Sequence, residues 1–394
     1  MQILRIIKKH RLKITITLAA LVLAGYLADR IFFPIPKNLL NRPPSAFVYS
    51  RNHQLMGCFL SSDEYWRKPI MLEDISPLLI NCVLTCEDRW FYYHPGFNIV
   101  SLISAAIDNV KAGKIVRGGS TITMQIARMM EPKSRTLKSK IIEIFRAIQL
   151  ELHYSKKELL EIYFNLAPYG GNIEGLGAAS FFYYDKSPLE LTPAQSALLA
   201  VLPRSPEELR PDKNFQRCVD ARKGVLNVIL NKGLIDEREY SNALIEEIFV
   251  ERTDRPAMAP HICRELALAN ADRGEIISTI DPDIQTVCEK LLNRRARYLA
   301  QKDLYNASVV VMDNATGEVL ALVGSIDFSD DMHSGQVNGA LAPRSPGSTL
   351  KPFAYALALD KGLISPEMYL EDLPVSGVAE VLGRSIHATE SLLA

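Results

Sequence analysis

The chain opens polar and basic, then turns apolar. Arg5, Lys8, Lys9, His10, Arg11 and Lys13 precede the run from Ile14 to Phe33, whose charges are Asp29 and Arg30 near its far end. About 20 apolar residues cross a bilayer as a helix, and a basic flank that comes first predicts a cytoplasmic N-terminus with the rest exported. A cleaved signal peptide is the competing reading, because Ala24-Gly25-Tyr26 and Leu27-Ala28-Asp29 offer small residues. The apolar run continues to Pro34, which favours a retained anchor over residues 14–33 behind a basic tail of residues 1–13. Alternating stretches at Ala46–Tyr49 and Met56–Leu60 flank the turn-like Arg51-Asn52-His53 and predict a small strand pair.

From Ser76 the period becomes helical. Ser76 suits an N-cap and Pro77 a first helical position. Leu79, Cys82, Val83 and Cys86 then repeat on one face, and the helix should end near Glu87. A second helix is predicted from about Thr136 to His153. Leu137, Ile141, Ile144, Phe145, Ile148 and Leu152 form its apolar stripe, and Lys140, Glu143, Ala147 and Glu151 run along the flank beside it. Capping boxes at Ser155–Glu158 and Thr192–Gln195 open helices through Asn165 and Leu202, and Arg217–Leu230 reads as one more. Between Glu87 and Leu230 there is almost no strand alternation, so this region should be mainly α. Residues 236–300 read as a polar helical connector. Within it, Asp281-Pro282-Asp283 has the spacing of a metal-binding acidic motif, but an N-cap followed by a first-position proline is the simpler reading. Strands are predicted at Ser308–Met312 and Glu318–Val323 around Asn314-Ala315-Thr316-Gly317, followed by a helix from Ser348 through Leu359.

Composition changes little. Lys plus Arg and Asp plus Glu both number 45, so no global field argues for nucleic acid. The six cysteines lack a CxxC pair and paired histidines, which excludes a zinc site and a disulfide framework and leaves free thiols.

The candidate chemistry lies between Glu87 and Gly177. Glu87 falls at the negative end of the helix dipole, a setting that suits a proton acceptor. Glu87 and Glu143 form a pair of carboxylates of the kind that serves glycosyl transfer or glycoside hydrolysis. A pyrophosphate leaving group would need cations, and Arg117, Arg128, Lys140 and Arg135 are placed in sequence to supply them. Gly118-Gly119 leads into Ser120, Thr121 and Thr123, a loop before a helix N-terminus that can cradle an anion. Lys140 and Glu143, at i and i+3, would otherwise be an ordinary surface ion pair.

Four blocks in this order resemble the signature of the family 51 peptidoglycan glycosyltransferases, the polymerase domain of class A penicillin-binding proteins. They are Glu87–Gly96, Arg117–Gln125, Lys140–Glu151 and Leu159–Gly171. Asn165–Gly171 and Ala200–Pro206 are similar to the 1C type in particular. The resemblance implies a mainly α, lysozyme-like glycosyltransferase domain over residues 34–235 with a membrane-embedded jaw. It implies lipid II, a disaccharide-pentapeptide on undecaprenyl pyrophosphate, as substrate, the growing glycan strand and the bilayer as partners, and other cell wall synthesis proteins as candidate partners. The implied place is the bacterial cytoplasmic membrane, single-pass, with the catalytic domain outside. Glu87 would deprotonate the acceptor's 4-hydroxyl and Glu143 would assist at the pyrophosphate. Arg128 and Lys140 fall on phosphate-contacting positions, Ser120, Thr121 and Gln125 in the donor-site loop, and Asp88, Phe91 and His94 fill the first block. No resident cofactor is required, and a divalent cation (Mg or Mn) at the pyrophosphate stays open. Met124 and Ser139 depart from the pattern where many members have Gln and Arg. A lysozyme-like hydrolase has no pyrophosphate to bind and fits the cationic set less well. A non-catalytic membrane-anchored scaffold is the other alternative.

Ser348-Thr349-Leu350-Lys351 is an SxxK tetrad, in which Lys351 lies one turn from Ser348 and can take its proton. The resemblance makes Ser348 the nucleophile of an α/β, β-lactamase-like transpeptidase domain starting at residue 301. No SxN or KTG follows before Ala394. Residues 301–394 therefore read as an incomplete, inactive transpeptidase lacking the oxyanion-hole framework. The expectation is that a fluorescent penicillin leaves Ser348 unlabelled, as read on a denaturing gel, and covalent labelling there would refute it.

Overall fold

The computed structural model describes residues 34–35, 42–113, 118–134, 136–247, 258–369, 378–381 and 384–387. The basic tail and the span expected at 14–33 lie outside the described residues. Among those described, no helix is long and apolar enough to cross a membrane. The chain divides into two compact units, one up to Ala340 and one from Leu341.

In chain order the first unit runs β1 (Ala46–Tyr49), β2 (Leu55–Phe59), α1 (Pro77–Glu87), α2 (Ile99–Ala112), α3 (Ile122–Met130), α4 (Leu137–His153), α5 (Lys156–Leu166), β3 (Pro168–Gly170), β4 (Ile173–Glu174), α6 (Leu176–Tyr184), α7 (Pro193–Val201), α8 (Phe215–Asn231), α9 (Glu237–Ile245), α10 (Pro260–Ala269), β5 (Glu275–Ile277), α11 (Pro282–Ala300), β6 (Val309–Met312) and β7 (Val319–Val323). The unit is mainly helical. Local chemistry fixes most helix starts. Both expected capping boxes form at Ser155 and Thr192. Asp281 caps α11 by accepting from the backbone N–H groups of Asp283 and Ile284, so the acidic motif is a helix start. Ser76 precedes α1 as expected, but its side chain makes no cap hydrogen bond. Proline at the first position has no N–H and leaves fewer donors to satisfy there.

The main core gathers Leu79, Cys82 and Val83 of α1 with Leu159, Leu160, Tyr163 and Phe164 of α5 and with the almost fully buried α7. A smaller core lies between β1, β2 and α10, from Val48 and Met56 to Cys263 and Ile276. Residues 236–300, read as a polar helical connector, also contribute a short strand to this second core. β5 lies in that stretch and pairs in parallel with β1, Val48 opposite Ile276, giving the strand order β2-β1-β5. Three residues are too few to display an alternation, and the partner strand lies more than 200 residues earlier in the chain.

A buried ion network ties the start of the described chain to the site-bearing helices. Arg67 donates from Nε to Glu174 at 2.7 Å and from both Nη atoms to Asp63 at 2.6 and 2.8 Å. Arg42 also bonds Glu174, and it donates to the Met129 carbonyl in the last turn of α3 at 2.7 Å. Hydrogen bonding from Arg67 is the main cause holding the Asp63 carboxyl down to about 2. Only 4 % of Arg67 and 5 % of Glu174 is exposed, so neither charge can fall back on water.

The second unit contains a 3₁₀ turn (Gly347–Leu350) running into α12 (Lys351–Asp360), and an antiparallel pair β8 (Val378–Val381) and β9 (Arg384–His387).

Glu174 is the carboxylate that Arg42 and Arg67 share, and neutralising it leaves Arg42 without a carboxylate and Arg67 with Asp63 alone. Glu174→Gln should therefore cost roughly 3 kcal/mol, measured as a lower denaturant midpoint with an unchanged slope. A loss below about 0.5 kcal/mol, the range of an exposed pair, would refute the network's structural importance.

Candidate active site

Glu87 is the last residue of α1, and Asp88 follows as its C-cap. One oxygen of Asp88, Oδ2, accepts from the backbone N–H of Ile122 at 3.0 Å and lies 2.8 Å from His94 Nε2. Because Gly96 N–H donates to His94 Nδ1 at 3.2 Å, the ring carries its proton on Nε2 and donates it to Asp88. Thr121 donates from Oγ1 to the Gly96 carbonyl at 2.6 Å and accepts from Met124 N–H at 3.1 Å, capping α3. The first sequence block is thereby fastened to the start of α3.

Two glycines set how closely this assembly packs. Gly96 has φ +94°, and a Cβ there would meet the Ala147 carbonyl oxygen of α4 at 2.7 Å. A Cβ on Gly119 would meet Leu102 Cα and the Ser101 carbonyl of α2 at 2.9 Å. The loop ahead of α3 thus rests on α2, and the loop after α1 rests on α4.

The two carboxylates are held by one segment, residues 118–130. Gln125 of α3 donates to Glu87 Oε2 at 2.8 Å. Lys140 Nζ donates to Glu143 Oε2 at 2.9 Å and to Ser120 Oγ at 2.7 Å. The Lys140–Glu143 pair is therefore part of the cleft. Arg128 stands in the last turn of α3, one turn beyond Gln125. Asp88 and Thr121, expected at the substrate, are both buried with their hydrogen-bonding oxygens engaged by the fold. Arg117 and Arg135 lie outside the described residues. Ser139 is buried, with its hydroxyl 2.9 Å from Thr136 Oγ1. Beside it a small cavity is lined by Glu131, Lys133, Glu143 and Arg146.

Three further residues join this site without having been assigned a part in it from the sequence, although Glu151 lies in the third block and Arg204 in the Ala200–Pro206 stretch. Arg204 donates from Nε to Glu87 Oε1 at 2.7 Å. Glu151 accepts from Thr123 Oγ1 and from Lys156 Nζ, each at 2.7 Å. Lys156 also donates to the His94 carbonyl at 2.8 Å and lies 4.5 Å from the Phe91 ring centroid. These partners are separated by 28 to 117 residues in the chain, apart from Glu151 and Lys156, so spacing could not announce most of them.

The stripe expected on α4 is present, but it faces outward. Ile141, Phe145, Ile148 and Leu152 are exposed, with 68 % for Ile141, whereas Ala147, Gln149 and Leu150 are buried and Glu143 and Glu151 are largely covered. On α2, Ile99, Val100, Ile103, Ile107 and Val110 are exposed as well. Contiguous apolar exposure on this scale marks an interaction face.

Among the described residues there is no all-protein cage for a divalent cation. Such an ion takes several oxygen ligands. Here the Lys140 ammonium lies against Glu143, and the described residues hold no group of three metal-ligating side chains. The thiols Cys82 and Cys86 are pushed up by burial, to about 12 and about 11, so they are poor ligands. In the second unit, Ser348 and Lys351 are exposed at the start of α12.

Residues 52–230 match the family model described as Transglycosylase, and residues 307–380 match the Penicillin binding protein transpeptidase domain. The chain is 39% identical over 364 residues to penicillin-binding protein 1C of Escherichia coli, covering 91% of this chain and 46% of that one. It is 30% identical to penicillin-binding protein 2D of Bacillus subtilis over 81% of this chain and 48% of that one. It is also 30% identical to penicillin-binding protein 1A of Aquifex aeolicus, over 73% and 42% respectively. The chain thus spans about half the length of these relatives.

Gly96→Ala should destabilise the first unit by roughly 2 kcal/mol or more through positive φ and the contact with α4. A thermal melt should show the midpoint lowered by about 5 °C, and an unchanged midpoint would refute the close docking.

Proposed function

Since the chain belongs to the class A penicillin-binding protein family, with transglycosylase residues 52–230 and transpeptidase residues 307–380, we propose that it polymerises lipid II into glycan strands with release of undecaprenyl pyrophosphate, in cell wall synthesis. The observation that carries this reading is that residues 118–130 contact both carboxylate groupings, Glu87 through Gln125 and Glu143 through the Lys140–Ser120 contact. A hydrolase needs a paired acid and base, but it has no use for an ammonium held between a carboxylate and a Gly-Gly-Ser loop.

In this reading the domain of residues 34–235 is lysozyme-like. Glu87 accepts the proton of the acceptor's 4-hydroxyl as that oxygen bonds to the donor's anomeric carbon. The bond from that carbon to pyrophosphate breaks, and the electron pair leaves with the pyrophosphate. Lys140 and Arg128 stabilise the departing charge, Ser120 aligns the Lys140 ammonium, and Glu143 orients it from the other side. Gln125 fixes Glu87. Asp88 and Thr121 act one step back, holding the loop and the start of α3 against each other. The Lys140 ammonium supplies positive charge beside Glu143.

The exposed apolar faces of α2 and α4 support contact with a bilayer, where the undecaprenyl chain of the substrate resides. A single-pass anchor over residues 14–33, with the catalytic domain outside the bacterial cytoplasmic membrane, accords with that orientation.

Labelled lipid II in detergent should yield long glycan from the parent and at least 100-fold less from Glu87→Gln, in keeping with loss of a general base. Polymer from both would refute the role of Glu87. Polymer from neither, with both proteins folded, would refute the function.

A further inference from the structure

We propose that Arg204 is a positioning residue for the base: it holds Glu87 Oε1 and sets a positive charge against the carboxylate until the acceptor hydroxyl arrives. The proposal rests on the polymerase reading above.

Glu87 is 7 % exposed at its side chain and has one donor on each oxygen, Gln125 on Oε2 and Arg204 on Oε1. The Arg204 guanidinium also bonds the Cys86 carbonyl, so it grips side chain and backbone at the end of α1 together. Its own backbone is stiff. Arg204 ends a 3₁₀ turn (Leu202–Arg204) in which Leu202 and Pro203 are buried. The Arg204 side chain is 49 % exposed, so it reaches Glu87 from the open side.

The other groups acting on Glu87 are neutral near pH 7. Burial raises the Cys86 thiol to about 11 and raises both Tyr163 and Tyr169, which pack behind Glu87. The two phenol oxygens have no hydrogen-bond partner among the described residues, so neither steadies the carboxylate. Lys232 acts on Cys86 but is engaged by the Thr85 hydroxyl at 2.8 Å. Arg204 is thus the cation in contact with Glu87. Burial works against its charge, and the groups around it, Glu87 foremost, together raise the guanidinium's pKa.

An opposite charge favours an ionised carboxylate, and a base must be ionised to act. The contact is single-pronged, through Nε alone, while Nη2 holds the Cys86 carbonyl. Arg204 can therefore give up Oε1 to the incoming hydroxyl and stay anchored. When the hydroxyl proton reaches Oε1, Glu87 becomes a neutral acid and the ion pair is lost.

The test is the pH dependence of initial polymerisation rate from labelled lipid II in detergent. It compares the parent with Arg204→Gln and Arg204→Met, which lack the charge, and Arg204→Lys, which keeps it. Thermal melts confirm that each is folded, and either neutral variant decides if the other is not. The neutral variants should move the acidic limb upward by about one pH unit and lower the rate on the alkaline plateau about tenfold. Arg204→Lys should return the limb to the parent's position. A raised KM with an unmoved limb would make Arg204 a substrate contact and overturn the proposal. Polymer from the parent with no change in either neutral variant would overturn it alone. No polymer from the parent would overturn the function and this proposal with it.

Discussion

One carboxylate oxygen sets the frame of the site. Asp88 Oδ2 receives the first backbone N–H of α3 and the His94 ring together, immediately after the residue read as the base. The end of α1, the loop that follows it and the start of α3 thereby meet at a single buried point. Gln125 reaches Glu87 only because α3 begins where Asp88 holds it. A charged acceptor is worth more at this junction than a neutral one, since a buried N–H without a partner is costly. The geometry therefore has little slack.

The same economy appears in the glycines. Gly96 and Gly119 let backbone touch backbone, one against α4 and the other against α2. Both of these helices carry exposed apolar residues on their outer faces. The loops that carry Gly96 and Gly119 are thus built directly on helices with exposed apolar residues. On α4 the usual arrangement is inverted, with Lys140, Glu143 and Glu151 turned toward the cleft and the aliphatic stripe turned away. An amphipathic pattern reports that a helix has two faces, but not which of them finds water, protein or lipid.

That limit explains what the sequence could and could not disclose. Helix starts were legible because their causes are local: Ser155 with Glu158, Thr192 with Gln195, Asp281 with Pro282. The end of α1 at Glu87 and the β6–β7 pair also followed from short-range pattern. The helix over Ile99–Ala112 was not anticipated, since its exposed isoleucines and valines blur the polar side of the period. β5 was missed because its stabilising partner is β1, far off in the chain. Within the site, the blocks pointed to Glu87, Lys140 and Glu143 by likeness, while Arg204 sat in the Ala200–Pro206 stretch with no role attached to it. Its contact with Glu87 depends on bringing the turn after α7 across the end of α1, which no spacing encodes.

The Arg42 contacts have a mechanical consequence. The guanidinium joins Glu174 to the Met129 carbonyl in the last turn of α3. α3 is a rod of nine residues, so a pull at one end arrives at the other with little loss. Its far end carries Thr121 and the loop with Ser120. A shift of Arg42 is therefore felt, through the length of α3, at the loop whose Ser120 hydroxyl accepts from Lys140.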